Sequence, residues 1–473
     1  MVCGAILGTL VGGQSTIGTA QLAFSFGLSA WWFTIGAALG SLLLGLVYAR
    51  SLRHSGCSTL MEVVRKEYGI RAEAVGSILF LVGIFISITS QLLSSTALIT
   101  SFVDMPTLVA LLVGGVLIAL LVIFGGIRSA GASGIVKLVL LYVSSLSAGI
   151  IVWRIAGGWS GLQHSVGEVY ASSQVAKMNG IGDLEGLHHR YGSLMARGPL
   201  KDIGGCLSLL LGVVCTQTYA QAIWSARSTA AARRGAVLCS ALIPIIGGAC
   251  TLVGIYMRGH YVTVAEAEAM REAGEALPDG VGVIANSLQA FPAFIIAEMP
   301  AWLGGVALGT LLVNVLGSGS GLVLGASTII ARDVLHCGAR NNGNDGNNNS
   351  CNGSGQRLRA LSELAVMRLS IVVILLLGVV AAHFMREAFL NDLGFLSLGL
   401  RAAALLLPLS FALWLPGRFG TRAVICSMLV VTLTMLLAGL LGLQPDPMYY
   451  GLAASAGVLF FSKVASPAGT EVG

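Results

Sequence analysis

Charge is what this chain lacks. Of 473 residues only 10% are Asp, Glu, Lys or Arg, against about a quarter in an ordinary soluble domain. Hydrophobic residues make up 55%. That balance excludes a soluble globular protein and points to a polytopic membrane protein embedded in a lipid bilayer. The net charge of +6 is no sign of nucleic acid, because the basic residues sit in short connections between apolar runs, where they set orientation. Acids are missing from the first seven apolar runs, and the eighth has only Asp333 at its end. A relay of buried carboxylates carrying protons across the membrane is thereby disfavoured. The nine cysteines form no C-x-x-C pair and no cluster with histidine at metal-ligand spacing. They read as small apolar packing residues. His188-His189 likewise has no partners at ligand spacing. No basic segment precedes the first run, so no cleavable signal peptide is read. Nothing implies an organic cofactor, and no obligate protein partner is evident.

What is present is a series of spans. A membrane helix needs about 20 mostly apolar residues. Twelve such runs occur, at roughly 3–24, 29–49, 74–101, 106–125, 133–156, 203–223, 236–257, 301–331, 364–384, 391–415, 420–442 and 447–462. The expected fold class is all-α, multi-pass, with the whole of 1–473 as one transmembrane domain. Arg50, Arg53, Arg65, Lys66, Arg71, Arg128, Arg227, Arg233, Arg234, Arg332, Arg340, Arg357, Arg359, Arg418 and Arg422 all fall in connections on one face, whereas 25–28, 102–105 and 443–446 on the other face carry no Lys or Arg. The positive-inside rule makes the basic face cytoplasmic, in a plasma (inner) membrane, and puts the long loops 157–202 and 258–300 outside. The asparagine- and glycine-rich stretch within 336–358 cannot bury apolar surface and is expected to be a disordered cytoplasmic linker.

Two runs are interrupted. The first reads GTLVGGQSTIGTAQLAF at 8–24, with Gly12-Gly13 followed by Gln14, Ser15 and Thr16. In hydrocarbon every backbone group must be paired, so unwound chain survives only where it lines a cavity or packs on protein. Paired glycines make unwinding easy, and the three polar side chains then stand beside freed amides and carbonyls. A close helix crossing through small residues is the competing reading. The second interrupted run, LLLGVVCTQTYAQAIWS at 209–225, places Gly212, Thr216, Gln217 and Thr218 in an apolar context. The two runs open two sets of five. Interrupted spans at corresponding places in two halves point to a transporter site between inverted repeats. The candidate solute pocket is therefore Gln14, Ser15, Thr16, Thr216 and Gln217. Trp31, Trp32 and Phe33 either gate it or belong to the interfacial aromatic belt.

TIGTAQLAFSFGLSAWWFTIGAALGSLLLGLVYARSLRHSGCSTLMEVVRKEYG, together with IFGGIRSAGASGIVKLVLLY at 123–142, QAIWSARSTAAARRGA at 221–236 and GSGSGLVLGASTIIARDV at 317–334, resembles the sodium:solute symporter family, in the family's order. The resemblance extends to about residue 465. It implies a five-plus-five inverted repeat of the LeuT type, over about 3–157 and 203–415, with two extra C-terminal helices over about 420–462. It also implies a sodium site as the one candidate metal: carbonyls at Gly8, Val11 and Asn314, and hydroxyls at two positions that are Gly317 and Ser318 here. One hydroxyl is thus lost, which weakens a cage for a hard cation. The family's frequent aspartate on the fifth helix is Gly134 here, and one turn on stands Lys137. An intramembrane lysine is a functional hypothesis by default. Its ammonium either replaces the sodium ion, with coupling to protons or to nothing, or snorkels to the cytoplasmic surface. Arg401, midway along the tenth helix, either clamps a solute carboxylate or pairs structurally. The leading expectation is cation-coupled symport of a small polar or anionic organic solute by alternating access. A channel, a sensor and an enzyme are disfavoured, for want of a filter, a signalling domain or a catalytic cluster.

Overall fold

A computed structural model describes residues 2–170, 173–181, 184–278, 280–331 and 353–465; for 125–135, 173, 184, 353–364, 440 and 459–465 the description is limited to the backbone. Most of the expected linker over 336–358 therefore lies outside the described residues, as do the surroundings of Gly134.

The chain starts with α1 (Val2–Leu10), leaves the helix at 11–13, re-enters through a wide turn at Gln14–Gly18 and continues as α2 (Thr19–Phe26). A tight helical segment, Gly27–Trp31, leads to α3 (Trp32–Leu43) and α4 (Ala49–His54). Gly27 has φ +56°, and a Cβ there would sit 2.4 Å from the Tyr191 Cα, so both backbone and packing demand glycine. Then follow α5 (Leu60–Tyr68), α6 (Ile70–Phe102) and α7 (Thr107–Ile155). The long connection that follows folds as α8 (Trp159–Tyr170), α9 (Ser173–Met178) and α10 (Leu184–Gly192). The second half begins with α11 (Pro199–Val214) and α12 (Gln217–Trp224), bent 45° at their junction. It proceeds through α13 (Thr229–His260), α14 (Val264–Glu272), α15 (Ala290–Glu298) and α16 (Ala301–Ile329). The remainder is α17 (Gly353–Phe384), α18 (Leu390–Trp414), α19 (Thr421–Leu440) and α20 (Pro447–Ala465). Two short strands, β1 (Tyr261–Thr263) and β2 (Gly282–Ile284), pair in parallel within the second outer loop.

Among the described residues nine helical stretches are long and apolar enough to cross a membrane, α7 supplying two (Thr107–Phe124 and Val136–Ile155), or ten when α11 and α12 count as one bent span. Twelve apolar runs are expected from the sequence. The difference lies at the ends of the chain: Gln14–His54 passes as one stretch although it turns at Gly27, and α20 falls outside the nine. Lipid-facing positions are apolar all along the outer helices, for example Leu112, Val116 and Leu120 on α7 and Leu376 and Val380 on α17.

The broken helices sit at the centre. α13 packs on α1, α2 and α3, α11 on α3 and α18, and α16 on α6 and α7. α6 contributes a buried polar stripe, Ser87, Gln91, Ser94 and Ser95, at helical spacing. That stripe faces the first break and Arg401: Gln91 and Ser94 meet Gly12 and Gly13, and Ser87 meets Arg401.

Candidate functional site

The first break is made by two glycines and held by α6. A Cβ on Gly13 would lie 2.4 Å from Ser94 Oγ, and one on Gly12 would lie 3.1 Å from Gln91 Nε2. The Gly13 amide donates to Gln91 Oε1 at 3.3 Å. Gly18 N–H reaches the Gly13 carbonyl at 2.9 Å, closing the wide turn. The hydroxyls repair the rest: Ser15 Oγ donates to Leu10 O at 3.1 Å and Thr16 Oγ1 to Gly12 O at 3.1 Å. Ser15 and Thr16 are buried and engaged with their own backbone, so what they leave free is acceptor capacity.

Beside the break, Lys137 turns inward. Its Nζ donates to Gly8 O at 3.2 Å, Asn314 O at 3.3 Å and Ser318 Oγ at 3.4 Å. These oxygens come from α1 and α16, and the ammonium has three protons to match three acceptors. A Cβ on Gly317 would lie 3.6 Å from Nζ, so the missing hydroxyl leaves room for the ammonium. Val11 is buried within the break, and none of the described bonds of Lys137 reaches it. The lysine stem lines a crevice of about 360 Å³ between α7 and α16, with Val136, Leu140, Gly305, Gly309 and Val313. Among the described residues no group of three or more His, Cys, Asp or Glu side chains could hold a metal ion.

The second break is at Cys215-Thr216. Thr216 is extended, with φ −99° and ψ 122°, and its Oγ1 donates to Gly212 O at 2.7 Å. Gln217 Oε1 accepts from Leu60 N at 2.8 Å and its Nε2 donates to Ser58 O at 3.4 Å, so it caps the start of α5. Arg53 supports the same region by donating to Ile223 O, Trp224 O and Ala226 O at 3.1, 3.2 and 2.6 Å.

Arg401 is 2% exposed and bonded to neutral oxygens: Gly83 O at 3.3 Å, Ser87 Oγ at 2.7 Å and Ser397 Oγ at 2.9 Å. Its guanidinium also lies over the Phe80 ring at 5.6 Å. Gln14 sits against Gly394, seven residues earlier on α18 and so roughly 10 Å away along its axis. Asp392 pairs elsewhere. Arg197 bridges it at 2.6 Å to Asp202 at 2.9 Å, and Ser29 donates to Asp202 at 2.7 Å. Burial disfavours the Arg197 cation, but the Asp392 and Asp202 carboxylates outweigh it and hold the guanidinium above its ordinary value.

Asn391 was not singled out by sequence. It is fully buried, and both side-chain polar atoms have no hydrogen-bond partner among the described residues. Its Oδ1 lies 2.5 Å from where a Cβ on Gly18 would be. Gln14 Nε2 is buried and unpartnered in the same way. Phe33 borders Gly394 together with Gln14, and packs on Phe395 at 5.4 Å between ring centroids. Structure thus brings together Gln14, Asn391 and Phe33 at one level, and Lys137, Gly8, Asn314 and Ser318 at another. Thr216, Gln217 and Arg401 stand apart from both. Trp31 and Trp32 are tied to backbone on the outer side, Trp31 Nε1 donating to Pro244 O at 2.8 Å and Trp32 Nε1 to Leu194 O at 2.6 Å.

A profile of the sodium:solute symporter family matches residues 1–430. An uncharacterized symporter, YwcA, of Bacillus subtilis is 23% identical over 333 residues, 70% of this chain and 60% of that protein. The high-affinity choline transporter 1 of Torpedo marmorata is 23% identical over 71% of this chain and 54% of its own length. The alignments thus span little more than half of these curated relatives. Among solved structures, a Na+-coupled sialic acid symporter in a substrate-bound outward-open state superposes with a TM-score of 0.65 at 15% identity, covering 99% of this chain and 89% of that one. That likeness establishes the fold.

Proposed function

The chain belongs to the sodium:solute symporter family, and from that premise we propose how it handles its coupling ion. It is a multi-pass membrane transporter, not an enzyme. In the proposed reading it moves a small polar organic solute by alternating access, with the Lys137 ammonium standing where a coupling cation would otherwise sit. The observation that carries this is the position of Nζ, 3.2–3.4 Å from Gly8 O, Asn314 O and Ser318 Oγ. Three of the five positions expected to ligate sodium are bonded to it, and a fourth, Gly317, has lost its hydroxyl. A sodium ion roughly 3 Å from that ammonium would feel a repulsion of about 5 kcal/mol at an effective dielectric of about 20. That is more than three decades in affinity. While Lys137 carries its charge, the site needs no sodium. Transport then either exchanges solute without an ion or moves a proton whenever Lys137 releases one.

What supports a polar solute is the pair of unpartnered amides, Gln14 and Asn391, with Phe33 as an apolar wall. A buried amide without a partner is destabilising by about 1–3 kcal/mol, so a solute offering both donors and acceptors relieves it. Arg401 supports an anionic solute poorly, because its Nη2 already serves three neutral oxygens.

Counterflow in proteoliposomes tests the ion assignment. Vesicles preloaded with candidate solutes are compared in sodium and in choline, for the wild type and for Lys137→Met. Sodium-independent counterflow in the wild type is the expected result. Counterflow that needs sodium in the wild type and is unchanged in Lys137→Met overturns the assignment and restores sodium-coupled symport.

A further inference from the structure

We propose that the crevice between α7 and α13 in the outer half of the protein is a binding site for one anionic glycerophospholipid, its acyl chain lying in the groove and its phosphate on Arg154. The crevice encloses about 380 Å³ and is lined by Leu146, Gly149, Trp153 and Arg154 of α7, by Gly248 of α13 and by Trp31. From Leu146 to Arg154 is eight residues, so the groove runs about 12 Å down the outer leaflet at 1.5 Å per residue. Its volume lies within the range of ordinary small-ligand sites, about 300–1,000 Å³.

Small residues make the groove. A Cβ on Gly149 would meet the Ala249 Cβ at 3.0 Å, so the two helices touch there and close the floor. On Gly248, bare backbone faces the Trp31 ring, which a Cβ would approach to 3.3 Å. Trp31 cannot swing away freely, because its Nε1 is held by Pro244 O. The Trp31 ring is thereby fixed as one wall of the recess. Lipid tails are as apolar as these side chains, so the groove selects shape, and preference has to come from a polar contact.

Arg154 supplies that contact. It ends α7, is exposed, and has no hydrogen bond or ion pair among the described residues. It also stands on the face opposite the basic connections, where arginine has no topogenic use. Trp153, 50% exposed beside it, marks the headgroup level. A guanidinium there matches a phosphodiester bidentately.

The test uses the purified full chain in detergent. Thermal unfolding is followed with added phosphatidylglycerol, phosphatidylcholine or inorganic phosphate. The expected result is a rise of a few degrees with phosphatidylglycerol that exceeds the rise with phosphatidylcholine, and none with inorganic phosphate, since the chain is part of the ligand. In Arg154→Gln the difference between the two lipids disappears. Ile245, 45% exposed, also lines the groove, and Ile245→Trp fills it and removes the response to both. Equal stabilisation by the two lipids in the wild type overturns the proposal, as does a phosphatidylglycerol preference that survives Arg154→Gln. Native mass spectrometry of the same samples gives a count of retained lipid that does not depend on the variants unfolding alike.

Discussion

If the Lys137 ammonium occupies a cation site, removing it and returning the lost hydroxyl should rebuild sodium dependence. The perturbation is Lys137→Ala combined with Gly317→Ser. Space permits the serine, because among the described residues, its own helix backbone aside, the only atom within 4 Å of a Cβ on Gly317 is Lys137 Nζ itself. In Lys137→Ala alone, Gly8 O, Asn314 O and Ser318 Oγ lose a shared donor. A hydrogen bond to a charged group contributes about 1.5–3 kcal/mol. The three contacts at 3.2–3.4 Å are longer than an ideal charge-assisted bond, so a total loss of about 2–4 kcal/mol is expected. Sodium should return part of it. With five candidate oxygens back in place, a dissociation constant near 10 mM and 300 mM sodium would stabilise the folded state by about 2 kcal/mol. Thermal unfolding of purified protein in sodium chloride and in choline chloride at equal ionic strength reads this directly. The wild type should show no sodium-specific shift. Lys137→Ala should melt lower in choline, and the double variant should rise by several degrees in sodium only. A sodium-specific rise in the wild type refutes the reasoning, and so does a double variant indifferent to sodium when Lys137→Ala is as stable as the wild type.

Gly13→Ala should block the first break, since the new methyl would stand 2.4 Å from Ser94 Oγ. Overpacking of this kind destabilises by about 1–3 kcal/mol, and restoration of counterflow by an added Ser94→Gly would tie the loss to that contact. Arg401→Gln should lower stability, by about 1–3 kcal/mol for the charged bonds it forfeits, while leaving solute selectivity as it was; a changed ranking of solutes in competition assays would return Arg401 to the solute site. Asp446, in the outer connection before α20, has its carboxyl raised by burial, with Asp392 adding to the effect. A raised acid favours its protonated form in the fold, so stability is lost as the pH rises past its ordinary carboxylate pKa, and the loss is complete above its raised folded-state pKa. Asp446→Asn should therefore raise the unfolding midpoint at pH 7 and have progressively less effect as the pH falls into the carboxylate range. An effect constant with pH would mean that its hydrogen bond to Met448 N, 2.9 Å long, dominates instead.

Much of the fold is legible in the order of residues because hydrocarbon is a severe solvent. Apolar runs of membrane length had to become helices, and Gly12-Gly13 and the Gly212 to Thr218 stretch are where two of them interrupt, whereas the equally glycine- and serine-rich stretch from Gly317 to Gly321 stays helical within α16. Lys137 also announced itself, as a charge in a membrane run. Its direction did not. Whether an ammonium snorkels outward or reaches inward depends on which oxygens lie within its length. Those oxygens belong to residues 129, 177 and 181 positions away. Arg401 shows the same limit: its partners Gly83 and Ser87 are more than 300 residues distant, and one helix stripe, Ser87, Gln91 and Ser94, serves both it and the first break. The periodicity of that stripe is visible in the sequence, yet serines and a glutamine at helical spacing do not say which helix they face. Asn391 is a polar residue at the mouth of a span like several others, until packing seals it without a partner among the described residues. Local composition determined where chain can unwind and where charge is costly. Which oxygen meets which cation was decided only when helices far apart in sequence packed together, because hydrogen bonds act over about 3 Å and carry no trace of the chain between their ends.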